Sequence, residues 1–410
     1  MSEFAPRAIS AFGFIALLAV AWLASSDRRA IDRRTIVVGI AIQFGLALLL
    51  LASPIGRVFF SIVEIPVAIL IETTEAGVRF VFGPLAELGH SFALDVLPII
   101  IFMGSLFGAL YHLGWIQPIV RVLARALSRI MRLSGAEALG AIANIFVGLI
   151  ESGVVIRPYI GGMTRSELFT FMTLGMSTIA GSVLIAYVSI LGSGEFAGHL
   201  VVASLVSAPA GIVVAKLMLP ETGTPQTLGD APELEGTRAT NLIDAAAEGG
   251  IIGLRLALNV GALLIAFVAL VALANVIIGG VAGLFGAPDL TLQAMLGVLL
   301  APLAFLMGIP WAESQTIGSL IGLKTIINEF VAYQALAEAI AEGTLSKRSA
   351  IIASYALCGF ANFGSLAILL GGIQGIAPER RSEAAELGLR SIAAGTIATC
   401  MTGCLAGMIV

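Results

Sequence analysis

The chain has 410 residues, of which 58% are hydrophobic and 12% charged, with a net charge of −4 and a mean hydropathy of +1.03. An ordinary soluble domain carries about 25% charged residues, so this composition excludes a soluble globule. The charge is spread over loops and offers no basic surface to a nucleic-acid partner, and Cys358, Cys400 and Cys404 sit in apolar stretches without the spacing of a metal site or disulfide framework.

A helix needs roughly 20 apolar residues to cross about 30 Å of hydrocarbon. Residues 8–25 form the first such run. Acidic Glu3 precedes it, most basic residues follow it and no clear mature start comes after it, so it reads as a transmembrane helix rather than a cleaved signal. Arg28, Arg29, Arg33 and Arg34 fill the next loop, which the positive-inside rule places in the cytoplasm, with the N-terminus outside. Residues 35–52 then cross outward. The stretch 59–82, with Glu64, Pro66, Glu72, Glu75 and Arg79, is expected to lie at the outer surface or interface, because a further crossing would carry the next basic cluster outside. Residues 94–113 return inward. Arg121, Arg125, Arg129 and Arg132 share one helical face opposite Ile119, Leu123, Leu127 and Ile130, the pattern of an amphipathic helix at the inner interface.

Two later segments are too polar for plain crossings. Residues 136–160 hold Asn144, Gly148, Glu151, Gly153, Arg157 and Pro158; residues 309–341 hold Pro310, Glu313, Lys324, Asn328 and Glu329. Each is long enough for a re-entrant hairpin, whose charges face protein or water. Behind each comes a related pattern: Thr164-Arg165-Ser166 leads to Ile179-Ala180-Gly181-Ser182, and Lys347-Arg348-Ser349 leads to Asn362-Phe363-Gly364-Ser365, 183 residues later. Paired, interrupted apolar segments in two halves of a membrane protein mark a carrier's binding site, since broken helices free backbone groups to hold ligands and ions. A flexible connector at 220–240, a span at 251–279, an inward loop at Arg380-Arg381 and a last helix at 387–409 complete the reading, which puts the C-terminus outside as well.

The run Asn144-Ile-Phe-Val-Gly-Leu-Ile-Glu151 followed by Ile156-Arg157-Pro158-Tyr159 resembles the first hairpin of the concentrative nucleoside transporter family. Ser177-Thr-Ile-Ala-Gly-Ser-Val183, Asn241-Leu-Ile-Asp-Ala-Ala246, Leu256-Ala-Leu-Asn-Val260, Asn328-Glu-Phe-Val-Ala-Tyr333 and Cys358-Gly-Phe-Ala-Asn-Phe-Gly-Ser365 follow in family order. The resemblance implies an all-α polytopic membrane protein of about eight transmembrane helices, two re-entrant hairpins and interfacial helices, built as an inverted repeat and working as an elevator. It implies a homotrimer in a bacterial inner membrane, importing nucleosides on a sodium gradient, with a proton as the rival coupling ion and no other cofactor. The expected division is scaffold at 1–133, first hairpin and broken helix at 134–195, scaffold at 196–308, second hairpin and broken helix at 309–377, and a C-terminal helix at 378–410.

Glu329, Asn362 and Ser365 match the family's ribose-binding positions, and their oxygens and amide suit a sugar's hydroxyls. Glu329 could instead pair with Lys324. Gly148, Leu149, Ile150, Glu151 and Val183 match positions around the base, with Phe360 as a shield; Glu151 could pair with Arg157. Asn144, Val147, Thr178 and Ile179 match sodium-binding positions, where Asn144 and Thr178 could also merely cap helix ends. Familiar members carry Gln-Thr where this chain has Leu149-Ile150, so base preference does not carry over, and a modified nucleoside or another small molecule is the alternative substrate. An enzyme is not expected, since His90, His112 and His199 are scattered away from the repeats.

Overall fold

The computed structural model describes residues 4–87, 91–228 and 239–410; His90 and residues 229–238 of the 220–240 connector lie outside them. Three helices, α1 (Phe4–Leu23), α2 (Arg33–Ala47, extended by a π-helical turn Leu48–Ala52) and α3 (Pro54–Phe82), precede two matching series. The first series runs α4 (Phe92–Asp95), α5 (Leu97–His112), α6 (Ile116–Met131), the hairpin arms α7 (Gly135–Val147) and α8 (Leu149–Val155), α9 (Arg157–Ile160), a helix broken into α10 (Arg165–Ser177) and α11 (Gly181–Leu191), and α12 (Glu195–Met218). The second runs α13 (Leu242–Gly283), α14 (Leu292–Leu306), hairpin arms α15 (Trp311–Ile326) and α16 (Glu329–Ala341), a helix broken into α17 (Lys347–Leu357) and α18 (Phe363–Ile376), and α19 (Arg381–Ile409). Among the described residues, eight helices are long and apolar enough to cross a membrane, and no strand occurs. The chain is an all-α polytopic membrane protein.

Polar contacts mark the two ends of the bundle. Thr35 Oγ1 donates to the Met131 carbonyl (2.8 Å), Ser26 N–H to that of Met218 (2.9 Å), and Arg390 to those of Ala24 and Met218. These bonds gather the starts of α2 and α19 with the ends of α6 and α12. At the other end Ser10 Oγ donates to the Met307 carbonyl (2.8 Å), and Arg348 bonds the carbonyls of Gly308 and Gly407. The first hairpin therefore enters from one end and the second from the other, the relation an inverted repeat requires. The first and last helices run antiparallel, so both chain ends share a side.

α2 begins beside Met131, the last residue of α6. Between the end of α2 and the end of α6 the chain thus makes one net traverse. α5 has no acidic or basic residue but its terminal His112, whereas α3 carries five charges, interior Pro66 and mostly exposed faces, which makes α5 the crossing. By length and composition alone α3 would also suffice to cross. It packs on the first turns of α12, where Phe60 meets His199 edge-on at 4.9 Å.

Two packing regimes divide the molecule. α5 and α13 lie together so closely that a Cβ at Gly104 would come 2.6 Å from the Gly249 carbonyl oxygen, the close approach small residues allow between membrane helices. α13 continues over 42 residues, far beyond the expected 251–279, because Asn241 caps its polar first turn by accepting from Asp244 N–H. Only 6% of its most apolar stretch is buried inside the molecule, against 89% for α12 and 72% for α19. α12 fits between the broken helices and α19, with Ser207 and Thr402 hydroxyls 3.1 Å apart where α12 and α19 meet.

Candidate functional site

A capping box of Thr164 and Glu167 starts α10. The helix stops where Thr178 turns extended (φ −122°, ψ 168°), and α11 restarts at Gly181. Such a break strips helical partners from the last carbonyls and the new first amides. The first hairpin's tip fills the gap: Gly148 adopts φ +104°, a conformation that favours glycine, and a Cβ there would lie 3.2 Å from that of Ala180. Four residues earlier, buried Asn144 donates through Nδ2 to Thr178 Oγ1 (2.6 Å) and to the Leu174 carbonyl (3.2 Å). Thr178 Oγ1 donates to the same carbonyl (2.9 Å), and the Ile179 carbonyl accepts from Ser204 (3.2 Å).

These bonds leave Asn144 Oδ1 buried without a partner, and Ser177 Oγ and Thr173 Oγ1 are likewise unpartnered. A buried unsatisfied polar group costs about 1 to 3 kcal/mol. Neutral oxygens at the ends of half-helices are the donor set by which membrane carriers hold sodium, so the residues present fit that cation. Val147 stands half-buried at the end of α7 beside this cluster.

The second break runs from Cys358 to Asn362. Asn362 caps α18 by accepting from Ser365 N–H (2.7 Å), and its Nδ2 donates to Glu329 Oε2 (2.8 Å). Glu329 opens α16 behind its own cap Asn328, and its other oxygen accepts from Tyr187 Oη (2.8 Å). Tyr187 is fully buried, stacked on Tyr333 at 4.6 Å and edge-on to Phe330 at 4.9 Å. Among the described residues Lys324 makes no hydrogen bond to Glu329; its ammonium donates to the Ala356 carbonyl (2.9 Å) and Thr399 Oγ1 (3.0 Å). A carboxylate offers about four acceptor positions, so the Tyr187 and Asn362 bonds do not exhaust it and it can still receive a hydroxyl donor of a ligand.

Glu329, Asn362 and Ser365 are thus brought together as the sequence suggests, with Phe360 half-buried in the same break. Asn144 and Thr178 are joined directly. Val183 is buried in the first turn of α11. Half-buried Glu151 folds back so that its Oε2 lies 3.1 Å from a Cβ built on Gly148; among the described residues no ion pair joins it to exposed Arg157. Leu149 is buried against Gly175, bordering a narrow apolar gap with Gly153, Phe171 and Leu369. Ile150 belongs to α8, and its side chain lies outside the described set. Sequence reasoning passed over Tyr187, although a buried tyrosine hydroxyl in an apolar helix needs a partner and signals one. Beside the second break, a groove of about 470 Å³ is lined by Asn259, Leu263, Phe267, Phe363 and Gly364.

Known proteins share this fold. The family model described as Na+ dependent nucleoside transporter C-terminus matches residues 199–407, its N-terminal counterpart matches 12–85, and a gate model described as nucleoside recognition matches 93–194. The uncharacterized transporter YutK of Bacillus subtilis is 47% identical over 97% of this chain and 98% of its own length, and the nucleoside permease NupC of Helicobacter pylori is 38% identical over 98% and 97%. The structure of CNTnw in an inward-facing substrate-bound state is 42% identical, with a TM-score of 0.92 over 98% of both chains. With the inverted repeat, the two helix breaks and the match across nearly the whole length, the chain belongs to the Na+-dependent nucleoside transporter family.

Proposed function

We propose that this protein imports nucleosides across a bacterial inner membrane by sodium symport. The observation that carries the reading is the pairing of two unlike breaks: one presents buried neutral oxygens without partners, the other a buried carboxylate positioned by Tyr187 and Asn362. Sodium would bind among Asn144, Val147, Thr178 and Ile179 and tie the tip at Gly148 to the break. The nucleoside's sugar would bind Glu329, Asn362 and Ser365, with its base toward Gly148, Glu151, Val183 and Phe360. Sodium favours uptake only through its differential affinity for the substrate-competent tip, since a ligand that binds two states equally shifts neither.

The packing supports an elevator in which α5 and α13 stay fixed and the hairpins and broken helices move. α12 and α19 are enclosed among the broken helices, so we place 196–218 and 378–410 with the moving body rather than the scaffold. Exposed apolar residues of α13, among them Ile265 and Val276 at 76% and 73%, suit a homotrimer contact or lipid. By the positive-inside rule, the basic clusters at Arg28 to Arg34 and along α6 favour a cytoplasmic side for their end of the bundle, which would put both chain ends outside.

Uptake of labelled purine and pyrimidine nucleosides into proteoliposomes, with sodium and proton gradients imposed separately, tests the reading. Saturable uptake on the sodium gradient is expected. Uptake on the proton gradient alone would move coupling to a carboxylate, and no nucleoside uptake on either would assign a different small molecule to the same fold.

A further inference from the structure

The two hairpins differ at equivalent positions. In the first, Asn144 lies four residues before Gly148, the residue that starts the second arm; in the second, Lys324 lies four residues before Asn328, which has the same place. Asn144 reaches the last turns of α10 at the first break through the Leu174 carbonyl. Lys324 reaches the last turn of α17 at the second break through the Ala356 carbonyl. The oxygens from the crossing helices also correspond. Ser204 of α12 serves the first break, and Thr399 of α19 serves the second; each lies three residues before a member of the Ser207–Thr402 contact where α12 meets α19.

The satisfaction of these oxygens is what separates the sites. The first break leaves Asn144 Oδ1, Ser177 Oγ and Thr173 Oγ1 without partners, whereas among the described residues no unpartnered buried side-chain oxygen or nitrogen occurs in the second hairpin or its broken helix. Lys324 is fully buried, and among the described residues no ion pair joins it to a carboxylate. A buried ammonium held by a carbonyl and a hydroxyl at the carbonyl end of a half-helix stands where a small cation would stand, in the favourable field of that helix terminus.

We propose that Lys324 is a built-in cation: its ammonium supplies, at the break of the second repeat, the positive charge that the coupling cation supplies at the break of the first. One free cation then completes both breaks. This inference rests on the sodium reading of the Asn144 cluster, which the wild-type protein tests separately.

The test is Lys324→Met, nearly isosteric and uncharged, assayed beside wild type for the sodium dependence of nucleoside uptake and for the melting temperature of the solubilised protein in sodium or choline chloride. Wild type is expected to show a Hill coefficient of about one for sodium. In Lys324→Met the emptied cage should take a second ion: the coefficient should rise toward about two, half-saturating sodium should rise about tenfold, and sodium should raise the melting temperature more than in wild type. Unchanged sodium dependence with unchanged melting would overturn the proposal. A variant that no concentration of sodium stabilises would overturn it as well, because the lysine would then serve packing or another bond. Wild type indifferent to sodium would instead overturn the coupling reading, and the melting comparison would still decide whether Lys324→Met has gained a cation site.

Discussion

The two helix breaks share a plan and differ in chemistry. At the first, the hairpin brings an amide side chain to a threonine and a carbonyl, and it leaves Asn144 Oδ1 unpaired. At the second, the hairpin brings a carboxylate and an ammonium, and among the described residues no buried side-chain oxygen or nitrogen there lacks a partner. The difference teaches how one duplicated element can divide a transporter's work. A break lined by neutral oxygens lacks positive charge and, on the proposed reading, would admit a cation. A break that already holds an ammonium can turn its carboxylate toward hydroxyl donors.

The sharpest way to break this comparison is Glu329→Gln, which keeps shape and removes charge. Hydrogen bonds to a charged group contribute about 1.5 to 3 kcal/mol, so nucleoside affinity should fall roughly 10- to 100-fold, read from the concentration dependence of uptake. Half-saturating sodium, extrapolated to saturating nucleoside, should move little. An equal loss in both constants would mean that the breaks do not divide the labour.

Asn144→Ala is the reciprocal test. It removes the bond to Thr178 and the unpaired Oδ1 together. Half-saturating sodium should rise about tenfold, the equivalent of about 1.4 kcal/mol, while nucleoside affinity at saturating sodium stays near wild type. A selective loss of nucleoside affinity with sodium dependence intact would place the cation elsewhere.

Much of this plan is legible in the chain because it follows from local rules. Gly-Ser pairs after a polar start announce the breaks, and Asn144 and Glu329 stand out because polar groups in a membrane segment are costly unless used. Other features depend on contacts distant in sequence. Lys324 is five residues from Glu329 and invites pairing on paper, yet its side chain turns to Ala356 and Thr399, 32 and 75 residues away. Leu149 sits between Gly148 and Glu151 in sequence, but the turn of α8 directs it onto Gly175. The 16-residue approach of α15 to its tip and the 115° bend that joins it to α14 likewise depend on packing, not on periodicity.

Tyr187→Phe probes the support of the Glu329 carboxylate rather than the carboxylate itself. The hydroxyl's bond to Glu329 is buried, and removing the donor leaves Oε1 to a ligand or water. A net loss of about 1 kcal/mol is expected, seen as roughly fivefold weaker nucleoside binding with sodium dependence unchanged. Stacking on Tyr333 survives in the phenylalanine, so the melting temperature should change less than the affinity.

Leu149→Ala should have the smallest effect on transport, and it separates a packing residue from a base contact. The side chain lies 8% exposed against Gly175, beside a gap bounded by Phe171 and Leu369. Truncating a buried leucine costs about 2 to 5 kcal/mol through lost burial and the cavity left behind. The solubilised protein should therefore melt several degrees lower, while the ranking of purine and pyrimidine nucleosides stays as in wild type. A reordered ranking without loss of stability would show that Leu149 turns to the base during transport. The apolar tip would then set specificity, and the first hairpin would serve the substrate as well as the cation.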